Sequence, residues 1–179
     1  MPTVLTLLAP GFEEIEATAP IDLLRRAGAE VVIAALEMGI HVSGRCGITL
    51  HADTTVTALA GRTFDLLFLP GGPGTNALRA DPRVRALVLD QHQRRGWLAA
   101  ICAAPTVLND AGILEGRRHT AHFSVASELP NLLANERVVV DGHIITSRGA
   151  GTAIEFGLKL IETLFSVEKS REVGAAICV

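Results

Sequence analysis

At 179 residues the chain has the length of one domain, spanning 1–179, with room for a sizeable core. Its net charge of −3 and 4% aromatic content exclude the clustered cations and stacking rings of a nucleic-acid surface, so sequence-specific nucleic-acid binding is not expected and small molecules are the expected partners. Three cysteines exclude a disulfide framework and fit a reducing compartment.

The amino end, Met1-Pro2-Thr3-Val4-Leu5, lacks the basic start and long apolar run of a signal peptide. No apolar stretch reaches membrane-spanning length without interruption. A cytoplasmic protein with no membrane partner is therefore expected.

Along the chain, short apolar runs alternate with longer amphipathic ones, the pattern of parallel strands joined by crossover helices. Residues 3–9, 30–36, 65–69 and 97–101 read as buried strands. Residues 13–27 and 82–95 carry helical spacing, with Gly28 and Gly96 placed as stops. The segment 42–53, with Gly44 and Gly47 among β-branched residues, reads as a projecting hairpin. Pro105 suits the first turn of a helix and Gly112 its end, and a strand from Arg118 is expected to finish at His122. Residues 137–140 and 144–146 flank the turn signal Asp141-Gly142 and read as a second hairpin. Thr152 and Glu155 make a capping-box pattern for a helix to about residue 164, and a last helix, 167–176, would cover the site or a neighbour. Strands buried on both faces require helices on both sides of the sheet, so the expected class is α/β with a mostly parallel sheet.

The window Trp97-Leu98-Ala99-Ala100-Ile101-Cys102-Ala103-Ala104-Pro105 carries the chemistry most directly, because an apolar strand runs straight into a cysteine. In an open α/β sheet the ligand crevice lies beyond the carboxyl ends of the strands, and a residue at this turn faces it. The unpaired N–H groups of the following helix favour thiolate, so a depressed thiol pKa is expected for Cys102. The competing reading is an inert buried cysteine, since free Cys packs as a small apolar side chain.

Leu69-Pro70-Gly71-Gly72-Pro73-Gly74 follows another strand and lets the backbone approach a ligand closely. The amide of Gly71 or Gly72, with that of Ala103, would hold a developing oxyanion, although such a loop also serves as an ordinary tight turn. It lacks Lys and Ser/Thr at Walker spacing, so a phosphate loop is rejected and no cofactor is expected.

Gly11-Phe12-Glu13-Glu14-Ile15-Glu16 opens on the same edge. Glu13 and Glu16 share a helical face while Glu14 points elsewhere. Pro20 cannot donate to the carbonyl of residue 16, which predicts a local kink or other donors there, and a carboxylate at that break suits acid–base work. Glu13 and Glu14 read as first-turn acids favoured by the helix dipole. His119 and His122 are three apart, which in a strand puts them on opposite sides, and with no third ligand nearby no metal is expected. His122 alone would reach the crevice as a proton shuttle or sit on its rim as a polar residue. His41, His51, His92 and His143 fall in loops or on helix faces and point to no function.

Taken together, Leu-Leu-Ala-Pro-Gly-Phe-Glu-Glu-Ile-Glu ending at Glu16, Leu-Pro-Gly-Gly ending at Gly72, Ala-Ala-Ile-Cys-Ala-Ala-Pro around Cys102 and Ile-Thr-Ser-Arg-Gly-Ala-Gly-Thr ending at Thr152 resemble the ThiJ/PfpI superfamily. Within it the likeness is to the DJ-one (Parkinsonism-associated protein deglycase) branch. The resemblance implies a flavodoxin-like, class I glutamine amidotransferase-like three-layer sandwich, usually a homodimer. It implies Cys102 as nucleophile, Glu16 as the acid that hydrogen-bonds its sulfur, Gly72 and Ala103 as backbone donors, and His122 as the histidine of glyoxalase-active members. The implied activities are a glutathione-independent glyoxalase turning methylglyoxal into lactate, a deglycase of early glycation adducts on proteins or nucleotides, a redox-regulated chaperone and an oxidative-stress sensor. Three departures stand out. Phe123 replaces a common proline; Ala103 replaces the histidine of protease-like members, which disfavours peptidase activity; and Cys46 stands where an arginine usually reaches across the dimer, with Arg45 just before it.

The leading expectation is thus an enzyme of oxoaldehydes or their adducts. A non-enzymatic redox sensor, in which Cys102 is oxidised to sulfenic or sulfinic acid beside a protonated Glu16, uses the same residues. A flavodoxin-like cofactor binder has less support, because Trp97 lies inside a strand and the glycine loop lacks a phosphate pattern. A hydrolase or amidotransferase elbow would usually need flanking glycines, absent around Cys102. Cys46 and Cys178 read as bystanders.

Overall fold

Apolar runs without polar alternation become the middle of the sheet, because each of their two faces needs cover. The computed structural model describes residues 1–59 and 61–179. In chain order the elements are β1 (Thr3–Leu8), α1 (Glu14–Ala27), β2 (Glu30–Ala35), β3 (His41–Ser43), β4 (Thr49–His51), β5 (Thr54–Thr55), β6 (Leu66–Leu69), α2 (Thr75–Ala80), α3 (Pro82–Gln93), β7 (Trp97–Ile101), α4 (Pro105–Asp110), β8 (Val138–Asp141), β9 (Ile144–Ser147), α5 (Ala153–Leu164) and α6 (Val167–Ala176).

Seven strands form one sheet in the order β5-β2-β1-β6-β7-β9-β8, and only β8–β9 pairs antiparallel. Side chains alternate between its faces. On β7, Ala99 and Ile101 join Phe12, Leu24 and Phe156 beneath α1 and α5, whereas Leu98 and Ala100 join Val84, Val88 and Leu108 beneath α3 and α4. Each such large aliphatic or aromatic side chain contributes on the order of 2 kcal/mol by leaving water. The result is a flavodoxin-like sandwich with helices on both sides.

Helix α1 starts where the Glu13 carboxylate accepts from the amide of Glu16 at 2.8 Å, and it ends at Gly28, whose φ of 96° closes the last turn. The chain stays helical through Pro20. Gly157 of α5 makes room for it: a Cβ there would lie 3.2 Å from Pro20 Cα and 2.6 Å from Leu23 Cδ1.

The projecting hairpin β3–β4 stands apart from the main sheet. Its turn is held by Glu14, whose Oε1 accepts from the amides of Cys46 (2.7 Å) and Ile48 (3.3 Å). Arg45 N–H also donates to the carbonyl of Phe12 at 2.9 Å, which docks the turn on the loop between β1 and α1.

Two local expectations are corrected. Residues 118–122 form no strand and make a single bridge, His119 to Leu132. Both edges of β7 and of β9 are already occupied, so the segment is fastened instead by Thr120 N–H to Thr146 Oγ1 and by Thr120 Oγ1 to the carbonyl of Glu136, each 2.9 Å. The capping box of Thr152 and Glu155 does not form either. Thr152 Oγ1 is engaged with Gly149 and with Ser147 Oγ (2.6 Å), and Glu155 pairs with Arg137. Helix α6 packs on α5 and α1 and lends no residue to the walls of the Cys102 cavity. Among the described residues no helix is long and apolar enough to cross a membrane.

Candidate active site

Cys102 occupies the turn between β7 and α4 with φ of 65°. A non-glycine residue in this region carries backbone strain of about 1 kcal/mol or more. The surroundings hold it there: its N–H donates to the carbonyl of Ser147 at 2.9 Å, and its carbonyl accepts from His122 N–H at 2.9 Å.

Glu16 sits in the first turn of α1, only 1% exposed, beneath the glycine loop. Its Oε2 accepts from the amide of Gly71 at 3.1 Å, the amide of Ala150 also donates to the carboxyl, and the Cys102 side chain is its remaining partner. The absent side chain of Gly71 is what allows this. A Cβ there would fall 2.5 Å from Glu16 Oε2 and 2.6 Å from Cys102 Cβ. Gly72, with φ of 92°, turns its amide to the sulfur, where the amide of Ala103 joins it.

Burial pushes the Glu16 carboxyl up to about 7, with the charge of Glu13 adding to it, while its hydrogen bonds to Cys102 and Gly71 oppose the rise. The expected depression of the Cys102 thiol is overturned. Burial and then the Glu16 carboxylate raise it to about 12, against the lowering effect of the Gly72 and Ala103 amides. Helix α4 is only six residues long, too short a dipole to reverse two such effects. Above about pH 7 the two side chains therefore hold one proton between them, because the double anion is prohibitive in so dry a place.

His122 completes the wall, half-buried, with Nδ1 facing Ser124 Oγ at 2.8 Å and its ring stacked 4.0 Å from that of Phe123. A Cβ on Gly149 would meet His122 Cδ2 at 3.4 Å, Glu16 Oε1 at 3.7 Å and Cys102 Sγ at 4.0 Å, so three expected site residues converge on one backbone position. His119 is elsewhere, fully buried with Nδ1 against the carbonyl of Arg117. Among the described residues no three His, Cys, Asp or Glu side chains are grouped to hold a metal ion.

The cavity over Cys102 measures about 410 Å³, and its walls include Glu13, Arg45, Asn76 and Ser124 besides the expected residues. Arg45 reaches it from its own chain. Sequence reasoning missed this role, and it took Glu13 and Glu14 for mere first-turn acids. Glu13 caps the helix that carries Glu16, a role its position three residues before Glu16 would have signalled. Glu14 is buried at 5% exposure, and nothing in helical spacing marks its bonds to a hairpin more than 30 residues away.

Residues 2–163 match the DJ-1/PfpI family, and the chain belongs to that family. It is 41% identical over 181 residues to Protein dj-1beta of Drosophila melanogaster, covering 99% of this chain and 97% of that one. It is 35% identical over 181 residues to the glutathione-independent glyoxalase DJR-1.2 of Caenorhabditis elegans, covering 99% and 96%. The crystal structure of Drosophila melanogaster DJ-1beta matches with a TM-score of 0.96 at 40% identity, over 99% of this chain and 98% of that one. Oxidized Toxoplasma gondii DJ-1 matches with a TM-score of 0.95 at 37% identity, over the same shares.

Proposed function

We propose that this chain is a cysteine-dependent, glutathione-independent glyoxalase and deglycase, acting in the cytoplasm on methylglyoxal-type oxoaldehydes and on their early adducts with proteins or nucleotides. The observation that carries the reading is the hydrogen bond between the side chains of Cys102 and buried Glu16 beneath a cavity that His122 also lines. The family includes a protein named as a glyoxalase of this kind.

In the proposed mechanism the Glu16 carboxylate takes the thiol proton as Cys102 Sγ bonds to the aldehyde carbon. The carbonyl electron pair moves to oxygen, which the amides of Gly72 and Ala103 hold and which is then protonated, giving a hemithioacetal. His122 removes the proton from that carbon while the keto oxygen takes one up from the Glu16 carboxyl, giving an enediol. His122 then returns its proton to the former keto carbon as the first hydroxyl gives its own back to Glu16, leaving the thioester of lactate. Water cleaves the thioester, releasing lactate and the free thiol. A carboxyl that titrates near 7 suits this alternation of base and acid at neutral pH.

The same reading includes a single domain and a homodimer. Ile15 on α1 (53% exposed) and Ile48 on the hairpin fastened to it (57% exposed) are large apolar side chains left open to solvent, which supports a partner surface there. The deciding assay is lactate formation from methylglyoxal without glutathione. Turnover in the native chain that is lost in Cys102→Ser and in Glu16→Gln upholds the enzyme and both roles; native turnover no higher than that of Cys102→Ser removes it.

A second reading, redox sensing, is favoured by the donors around the sulfur. The amides of Gly72 and Ala103 and a protonated Glu16 would all bond the oxygens of a sulfinate. Mass spectrometry after mild peroxide, with Cys46 and Cys178 as internal references, separates selective oxidation of Cys102 from general thiol damage.

A further inference from the structure

At the opposite edge of the sheet, beside the amino ends of β7 and β9, His143 Nε2 faces His92 Nδ1 at 2.9 Å with ring centroids 4.8 Å apart. The sequence gives neither histidine a role. The structure joins them from two elements: His92 from the last turn of α3 and His143 from the turn between β8 and β9. Arg95 and Arg117 stand with them around a cavity of about 470 Å³. The five-residue rise of β7 separates this place from Cys102 by roughly 16 Å.

Four cationic or protonatable side chains from three segments thus meet without a carboxylate on the cavity wall. Asp141, the acid bonded to this cluster, pairs with Arg117 Nη1 (3.2 Å) and accepts from the amide of Arg118 (2.9 Å), which fixes the Arg117 guanidinium in place and leaves Arg95 as the unpaired charge of the wall. Arg94 is paired with Asp90, but Arg95 enters no ion pair among the described residues. The carbonyls of Asp90, Gln91 and His92, which would repel an anion at the end of α3, are taken by the amides of Arg94, Gly96 and Arg95. Arg95 accomplishes its part by adopting φ of 57°. Burial first, then the neighbouring His92, Arg117 and Arg95, hold the pKa of His143 below the ordinary histidine value, because a drier setting and positive neighbours both disfavour the imidazolium.

We propose that this pocket is an oxyanion site that binds a phosphate group, with Arg95 and Arg117 as the fixed charges and the His92–His143 pair as donors. The cavity is wider than a bare phosphate, which fits a phosphate ester of a small molecule as well as the free ion. A bound dianion reverses the repulsion on His143, so anion and proton assist each other, and affinity for an anion of fixed charge rises as pH falls. The site is independent of the chemistry at Cys102.

The test is titration of the intact protein with sulfate, inorganic phosphate and glycerol 3-phosphate against chloride at matched ionic strength, read from the imidazole resonances of His92 and His143. Saturating shifts are expected with each oxyanion and not with chloride, and sulfate should bind more tightly at about pH 6 than at about pH 8. Arg95→Asn, which tolerates the left-handed backbone, and His143→Gln should each weaken binding about tenfold while lactate formation from methylglyoxal stays as in the native chain. Tighter binding of glycerol 3-phosphate assigns the site to an ester and tighter binding of inorganic phosphate to the free ion; either upholds it. Shifts that chloride reproduces, or affinities unchanged in both variants, overturn it.

Discussion

The backbone N–H of His122 donates to the backbone carbonyl of Cys102 at 2.9 Å, so the residue proposed to move protons is fastened to the residue proposed to attack. Their separation is set by main chain, and changes in either side chain leave the tether in place. His122→Gln should therefore fold and keep a Cys102 that alkylates at the native rate, while lactate formation falls by about a hundredfold or more. Ser124→Ala, which removes the hydroxyl partner of Nδ1 and leaves it only the backbone amide of residue 124 at 3.3 Å, should give a smaller fall through loosened ring orientation. Steady-state kcat beside an alkylation rate distinguishes the two, and an undiminished kcat in His122→Gln removes it from the mechanism.

The shared proton predicts a pH profile. Below about pH 7 both Glu16 and Cys102 are protonated and no base is present to take the thiol proton; above it the carboxylate is available. Alkylation of Cys102 by iodoacetamide should rise through about pH 7 in the native chain. In Glu16→Gln that inflection should vanish, leaving only the titration of the thiol itself. A native profile that is flat from acid to neutral pH, rising only where the thiol ionises, would contradict the shared-proton account.

Glu16 also costs stability. Its folded pKa of about 7 lies above its ordinary value of 4.5, so the folded state holds the proton more tightly than the unfolded chain does. The stability this confers is fully present below 4.5 and is lost as pH rises through 7. The shift corresponds to roughly 3 kcal/mol. Glu16→Gln cannot ionise, so its unfolding free energy in urea should fall less than the native value between about pH 4 and about pH 8, by up to that amount. Parallel pH dependence in the two proteins would mean that Glu16 is hydrated in solution.

Gly71→Ala tests the close approach under the carboxyl. The new methyl would lie 2.5 Å from Glu16 Oε2, 2.6 Å from Cys102 Cβ and 2.8 Å from the carbonyl of Ile101, two of them on rigid backbone or short side chain. A destabilisation of about 1–3 kcal/mol with loss of turnover is expected. Gly151→Ala has no atom within 4 Å of the new methyl, and its unfolding midpoint should match the native one.

Much of the sheet was legible because burial on both faces leaves an unbroken apolar signature, and β7 was read from Trp97 to Ile101 without error. β5 was not, since Thr54 and Thr55 become a strand only through pairing with Ala34 and Ala35. His122 was reached for a wrong local reason: its segment makes a single bridge and joins no strand, because both edges of β7 and of β9 are already paired, a fact of topology that no local pattern carries. At the site, Cys102, Glu16 and Gly72 follow from their places at the carboxyl ends of strands. The direction of the Cys102 shift did not follow, because it depends on burial and on a carboxylate brought in from residue 16. Arg45 and the pairing of His92 with His143 likewise exist only after the chain has folded.

Glu14 is the sharpest instance of a residue whose role folding creates, and it can be tested through the hairpin it holds. Its Oε1 accepts from Cys46 and Ile48, Gly44 leaves the space its carboxyl fills, and its Oε2 is buried without a partner. Burial works against the charge, yet the two amides keep the carboxyl below the usual range. Glu14→Ala removes both bonds and leaves two amides wanting partners, so the protection of the Cys46 and Ile48 amides against hydrogen exchange should collapse. Because the same turn carries Arg45 to the Cys102 cavity, KM for methylglyoxal should rise more than kcat falls. Glu14→Gln, which keeps the accepting oxygen, should retain most of the protection and most of the native KM. Equal losses in both variants would show that the charge, and not the bonds to the turn, is what holds the hairpin.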